Sequence, residues 1–168
     1  ERFHLYIVCF DDLAYQILGK MNLPDVTLIT LGEFEDDELL RVKPERSKGE
    51  YCWTCTSSVI KYCLEHYALQ EITYVDADLY FYQKPSILLH EFHKSGCSVS
   101  LSPHNYSTVY EWQAKTSGIY CVQFMTFKAD EQGMKILSWW RDKCIDWCFS
   151  TFDQENDRFG DQKYLDKW

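Results

Sequence analysis

Basic charge is scarce in this chain: 17 Lys and Arg stand against 26 Asp and Glu, a formal net charge of −9. That balance argues against a nucleic-acid partner, because affinity for a phosphate backbone comes from clustered Lys and Arg. No run of basic residues suits an anionic lipid surface. Long hydrophobic runs are also missing. The longest, such as residues 5–10, fall far short of the about 20 residues that a membrane-spanning helix needs. Nothing at the start reads as a signal peptide. The fingerprints G-x-G-x-x-G and G-x-x-x-x-G-K-[ST] are absent, and so is the G-x-S-x-G nucleophile elbow.

What is present is apolar material: 46% hydrophobic and 17% aromatic residues, enough to pack a core. The 168 residues amount to one domain, residues 1–168, with no repeat or linker. Eight cysteines invite a disulfide framework, but their spacing is helical. Cys52, Cys55, Val59, Ile60, Cys63, Leu64 and Tyr67 fall on one face of a helix, and Leu137, Trp140, Cys144, Trp147 and Cys148 on another. Free cysteines at such positions act as small core hydrophobes. A reducing, cytosolic compartment is the expectation. The chain starts at Glu1 rather than Met and stops abruptly at Trp168, so it reads as a fragment or processed form.

β-prone runs alternate with helical patterns. Strands are predicted at residues 2–10, 26–31, 71–75, 98–102 and 119–128. Helices are predicted at residues 12–21 behind Asp11 and Asp12, 36–42 before Pro44, 51–67, 86–93 after Pro85, 130–148 and 160–168. Residues 103–117 read as a polar loop. The alternation predicts an α/β fold with a mixed, mainly parallel sheet flanked by helices.

The most informative stretch is Tyr74-Val-Asp-Ala-Asp-Leu-Tyr-Phe81, where an apolar strand ends in Asp76, Ala77 and Asp78. Ligands of open α/β sheets bind beyond the carboxyl ends of the strands. Two neighbouring carboxylates there need a partner, since unpaired buried charge is very costly. Mn²⁺ or Mg²⁺ suits them, because these hard cations sit between one or two carboxylates and substrate phosphates. The plainer account is two solvated aspartates in a turn.

Other features are weaker. His90 and His93 read as solvated residues of a helix surface, while His104, in a loop after a strand, is a better site candidate. Gly118 either turns the chain into a core strand or lets backbone approach a ligand. Asp161 and Gln162, after Gly160, either cap a helix or reach sugar hydroxyls.

Four segments together resemble the GT-A glycosyltransferases, in particular bacterial enzymes related to the family 8 group and to nucleotide-diphospho-sugar transferases. They are Tyr74 to Phe81, Tyr51-Cys-Trp-Thr-Cys-Thr-Ser-Ser58, the strand from Gly118 to Phe127, and Gly160-Asp-Gln-Lys163. The resemblance implies a Rossmann-like GT-A domain truncated at both ends. Its first, base-lining strand would precede Glu1, and a metal-binding His would follow Trp168. It implies that Asp76, Ala77 and Asp78 are the D-x-D, with Asp76 and Asp78 holding Mn²⁺ or Mg²⁺ and the donor diphosphate. Tyr51 and Thr54 would also face the donor. Asp161 and Gln162 would be the D-Q pair near the reacting centre. Gly118, Tyr120, Cys121 and His104 would face substrate, although Cys121 and Gln123 depart from the usual Gly-x-Tyr-Asn-Val-Gly. The implied partners are a nucleotide diphosphate sugar, foremost a UDP-sugar, and a carbohydrate or lipid-linked acceptor. The implied location is cytoplasmic, at the inner face of a bacterial membrane.

Two other readings stay open on the residues alone. A haloacid dehalogenase-type phosphatase also ends a strand in D-x-D, with the first Asp as nucleophile; Leu79 after the motif and its late position count against it. A non-catalytic module binding a carbohydrate or a partner is compatible with Cys121.

Overall fold

The computed structural model describes residues 3–167. The expected first strand residue Arg2 and the last residue, Trp168, lie outside the described residues. The contacts divide the chain into two compact units, residues 1–41 and 42–168. The architecture is mixed α/β.

The first unit is a strand–helix–strand crossover. Strand β1 (Leu5–Cys9) leads into helix α1 (Asp12–Met21) and then strand β2 (Val26–Thr30), which pairs with β1 in parallel register, Leu5 opposite Val26 and Cys9 opposite Thr30. Asp11 caps α1 by accepting from the Ala14 amide at 2.7 Å. Asn22 closes the helix in the left-handed region, which Asn tolerates. A short helix α2 (Leu31–Phe34), not anticipated from the sequence, is held by a capping box between Thr30 and Glu33. Helix α3 (Asp37–Val42) follows.

In the second unit a 3-10 turn, Lys43–Glu45, precedes the long helix α4 (Lys48–His66), whose Ser47–Glu50 pair forms another capping box. Glu50 also accepts the Ser150 amide at 2.8 Å and its hydroxyl at 2.9 Å, which ties the start of α4 to a distant loop. Strand β3 (Glu71–Val75), helix α5 (Ser86–Ser95), strand β4 (Val99–Pro103), helix α6 (Gln113–Ser117), strand β5 (Tyr120–Lys128) and helix α7 (Glu131–Asp146) complete the regular elements. A 3-10 turn, Gln162–Lys167, stands where a last helix was expected.

The sheet of this unit has the order β3-β5-β4, and β5 is antiparallel to both neighbours. This corrects the expectation of a mainly parallel sheet. The cause lies in the connections. β3 and β4 run the same way across α5, as a strand–helix–strand crossover requires, but they are not adjacent. Between β4 and β5 the chain has only the five-residue α6, too little for a crossover, so β5 returns between them in the opposite sense.

β5 is buried along most of its length and carries Val122, Met125 and Phe127 into the core. Ile60 and Leu64 of α4, Leu137, Trp140 and Cys144 of α7, and Tyr164 and Leu165 join them in one cluster. All eight cysteines are unbridged, and five are buried, as helical spacing anticipated for Cys55, Cys63, Cys144 and Cys148. Cys52 is the exception: it is exposed rather than in the core. No helix among the described residues is long and apolar enough to cross a membrane.

Candidate functional site

The site is built where β3 and β5 part company. Pairing between β4 and β5 slips after Leu101, which faces Met125 while Ser102 faces Cys121. Residues 122–124 of β5 are therefore released from β4, with the Ser102 hydroxyl donating to the Phe124 carbonyl at 3.0 Å. Register breaks of this kind re-aim side chains beside functional sites. The Gln123 carbonyl instead accepts the Asp76 amide at 3.0 Å, and the Leu79 amide donates to the Asp76 carbonyl at 3.3 Å, closing a turn through Ala77 and Asp78. Asp76 is half-buried and Asp78 is exposed.

A cleft of about 580 Å³ opens over this turn. Cys52, Trp53 and Thr56 of α4 line it, with Tyr74, Asp76, Ala77 and Asp78 from the end of β3, Cys121 to Gln123 from β5, and Phe159 to Gln162 from the loop before the 3-10 turn. Three aspartates thus share one cleft, and no Lys, Arg or His lines it among the described residues.

The Tyr74 hydroxyl donates to Asp76 Oδ1 at 2.7 Å. Burial, then the Asp76 bond and charge, push the Tyr74 phenol well above its ordinary range, so it remains a donor. Asp161 is 5% exposed. Burial, reinforced by the charge of Asp76, raises its carboxyl to about 7 against the pull of its own amide, the Gln162 amide and the Thr56 hydroxyl. The Asp161 carbonyl accepts Trp140 Nε1 at 2.8 Å, which fixes the loop on the core. Burial, with Asp76 and Asp161 nearby, also raises the Cys121 thiol.

The turn at Gly118 braces the 3-10 turn from the other side. Gln162 Nε2 donates to the Ser117 carbonyl at 2.7 Å, and the Ile119 amide donates to Asp166 Oδ1 at 2.8 Å. Gly118 adopts φ +110°, and an added Cβ would sit 3.2 Å from Asp166 Oδ1 and 3.3 Å from Lys163 Cα. Gly118→Ala is therefore expected to destabilise the protein by about 1–3 kcal/mol. Urea unfolding checks it; an unchanged midpoint would contradict the packing described.

Six of the residues singled out from sequence come together in the cleft: Asp76, Ala77, Asp78, Cys121, Asp161 and Gln162. Five do not line it. Tyr51 is buried beneath the Lys43 ammonium, 5.3 Å from its ring centroid, and Thr54 is fully buried with its hydroxyl bonded to the Glu50 carbonyl. They are immediate neighbours of Cys52 and Trp53 along α4 but point into the core, away from the cleft. Tyr120 packs against the hydrophobic cluster, and Gly118 serves the turn just described. His104 stacks on Tyr106 with centroids 4.5 Å apart, and its Nε2 is buried without a hydrogen-bond partner among the described residues. Sequence reasoning missed Cys52, Trp53, Thr56, Tyr74 and Gln123 as site residues. The available signal was the spacing of Cys52, Trp53 and Thr56 around one helix side.

The chain is 31% identical over 169 residues to the uncharacterized protein YfnF of Bacillus subtilis (strain 168), covering 96% of this chain and 54% of that protein. It is 30% identical to the uncharacterized protein YfnD of the same organism, covering 100% of this chain and 54% of YfnD. The chain thus spans about half the length of these curated relatives. No protein-family model matches the chain. No solved structure matches it.

Proposed function

We propose that this chain carries the donor-binding part of a metal-dependent glycosyltransferase of the GT-A type, acting on a nucleotide diphosphate sugar, foremost a UDP-sugar. The observation that carries the reading is the meeting of Asp76, Asp78 and Asp161 in one cleft that no cationic side chain among the described residues lines. Such a cleft repels a bare diphosphate and accepts one only with a divalent cation.

The residues fit Mn²⁺ or Mg²⁺ in donor chemistry. Asp76 and Asp78 supply hard carboxylate oxygens, and the Tyr74 hydroxyl on Asp76 Oδ1 orients one of them. Among the described residues no group of three or more His, Cys, Asp or Glu could hold a metal. Two carboxylates completed by substrate phosphates and water is the arrangement Mg²⁺ commonly takes. When bound, such a cation neutralises charge that develops on a departing nucleoside diphosphate. Asp161, poised at about 7, can hold or release a proton near a sugar oxygen. The acceptor on this reading is a carbohydrate or a lipid-linked sugar.

Calorimetric titration of UDP and GDP, with and without Mn²⁺, tests the reading. UDP is expected to bind only with Mn²⁺, and Asp78→Asn to weaken binding at least roughly 100-fold with no change in unfolding temperature, since Asp78 is exposed. Equal binding by the variant would defeat the assignment, as would the absence of any Mn²⁺-dependent nucleotide binding to the native protein.

A further inference from the structure

Trp53 is the most unusual side chain of the cleft. It is 37% exposed on a helix that otherwise turns its large apolar residues inward. Its ring is nevertheless held in place. Gly160 takes φ +51°, and a Cβ there would lie 3.6 Å from Trp53 Cε3, so the indole rests against the glycine backbone. The Phe159 ring lies 6.5 Å away at 40°, forming an aromatic corner. A fixed aromatic surface left open to a cleft is suited to a ligand with an apolar face.

The rest of the lining narrows the ligand class. Asp78 and Asp161 contribute carboxylates, and Gln123 and Gln162 contribute amides. A hexopyranose has an apolar C–H face and a rim of hydroxyls that donate to carboxylates and exchange bonds with amides. A nucleobase would also stack on an indole, but it brings few N–H donors to so acidic a lining. We propose that Trp53, backed by Phe159 and Gly160, is the platform on which a hexopyranose ring stacks, and that it sets which sugar the cleft takes. This deepens the glycosyltransferase reading and rests on it for the origin of the sugar, but the stacking can be measured without nucleotide.

The test is saturation-transfer NMR of a panel of methyl hexopyranosides with the native protein, Trp53→Phe and Trp53→Leu. At least one hexoside is expected to receive saturation on the C–H protons of one ring face. Its affinity is expected to fall roughly tenfold in Trp53→Leu and to be largely kept in Trp53→Phe, which retains an aromatic face. A merely structural role would not separate the two variants. Displacement of the hexoside by UDP-glucose or UDP-galactose with Mg²⁺ marks the sugar as the donor's. Simultaneous binding marks it as the acceptor's; both outcomes support the platform. Three results overturn it: no hexoside binding to the native protein, no difference between the variants, or an equal loss of affinity for UDP and UDP-hexose in Trp53→Leu. The glycosyltransferase reading has its own readout in the Mn²⁺-dependent binding of UDP. Nucleotide binding without hexoside binding removes the platform alone, and hexoside binding without nucleotide binding removes the donor reading alone.

Discussion

Stability is expected to fall as the pH rises from about 4 to about 7, and Asp161→Asn is expected to remove most of that fall. The Asp161 carboxyl ionises near the ordinary value of 3.8 in the unfolded chain but is raised to about 7 in the folded protein, first by burial and then by the Asp76 charge. Between those values the native state keeps a proton that the unfolded state has lost. Raising the pH through this window therefore favours unfolding. Below about 4 and above about 7 the group adds no slope. The full difference corresponds to about 4 kcal/mol, an upper bound because the loop can relax and admit water. Asp76, Tyr74, Cys121 and Cys144 lie within electrostatic reach of Asp161. None is a cation that would offset the burial. Urea unfolding at a series of pH values measures the slope, and an equally steep fall in the asparagine variant would show that Asp161 is not its source.

The same substitution tests chemistry. An amide keeps the shape of the buried carboxyl but cannot exchange a proton. On the proposed reading, transfer from a nucleotide sugar falls by roughly two to three orders of magnitude in Asp161→Asn. Nucleotide binding through Asp76 and Asp78 should change far less. Loss of binding and transfer together would mean that Asp161 supports the cation site rather than the reacting centre.

Local signals in the sequence were legible where one residue decides the structure. Strand β3 has the expected bounds because an apolar run stops at an aspartate. Helices α1 and α7 begin behind Asp11 and Asp130, whose carboxylates accept the Ala14 and Gly133 amides as cap residues do. Strand direction was not legible, because it depends on whether residues 104–119 hold a crossover helix, and only a five-residue helix forms there. Helix α2 carried its signal in Thr30 and Glu33, a capping box at the end of the predicted strand that went unread. The cleft divides in the same way. Asp76 and Asp78 announce themselves by adjacency, and Asp161 by following a glycine. Cys52 and Cys55, three residues apart, were assigned to one face, but only the second is buried. Which side of α4 meets the cleft is set by where the helix packs on the sheet, and no local pattern contains that. The local sequence at Asp161 did not disclose its burial, which is the property that raises its carboxyl.

Trp140→Ala is expected to give the largest loss of stability, about 3–5 kcal/mol. Trp140 is fully buried, and its ring lies parallel to Phe127 at 6.2 Å in the middle of the cluster that joins β5 to α4 and α7. Removing it opens a large apolar cavity in rigid surroundings. It also removes the donor that Nε1 offers to the Asp161 carbonyl at 2.8 Å. Trp140→Phe separates these effects. The phenyl ring keeps much of the packing but leaves the carbonyl without its donor, at a cost of about 1–3 kcal/mol. If this bond places Asp161 over the cleft, the phenylalanine variant also changes the pH slope that Asp161 produces. A variant that is merely less stable keeps that slope and shifts only the urea midpoint. Measuring midpoint and slope together distinguishes a core residue that fills space from one that also holds the acidic wall of the site.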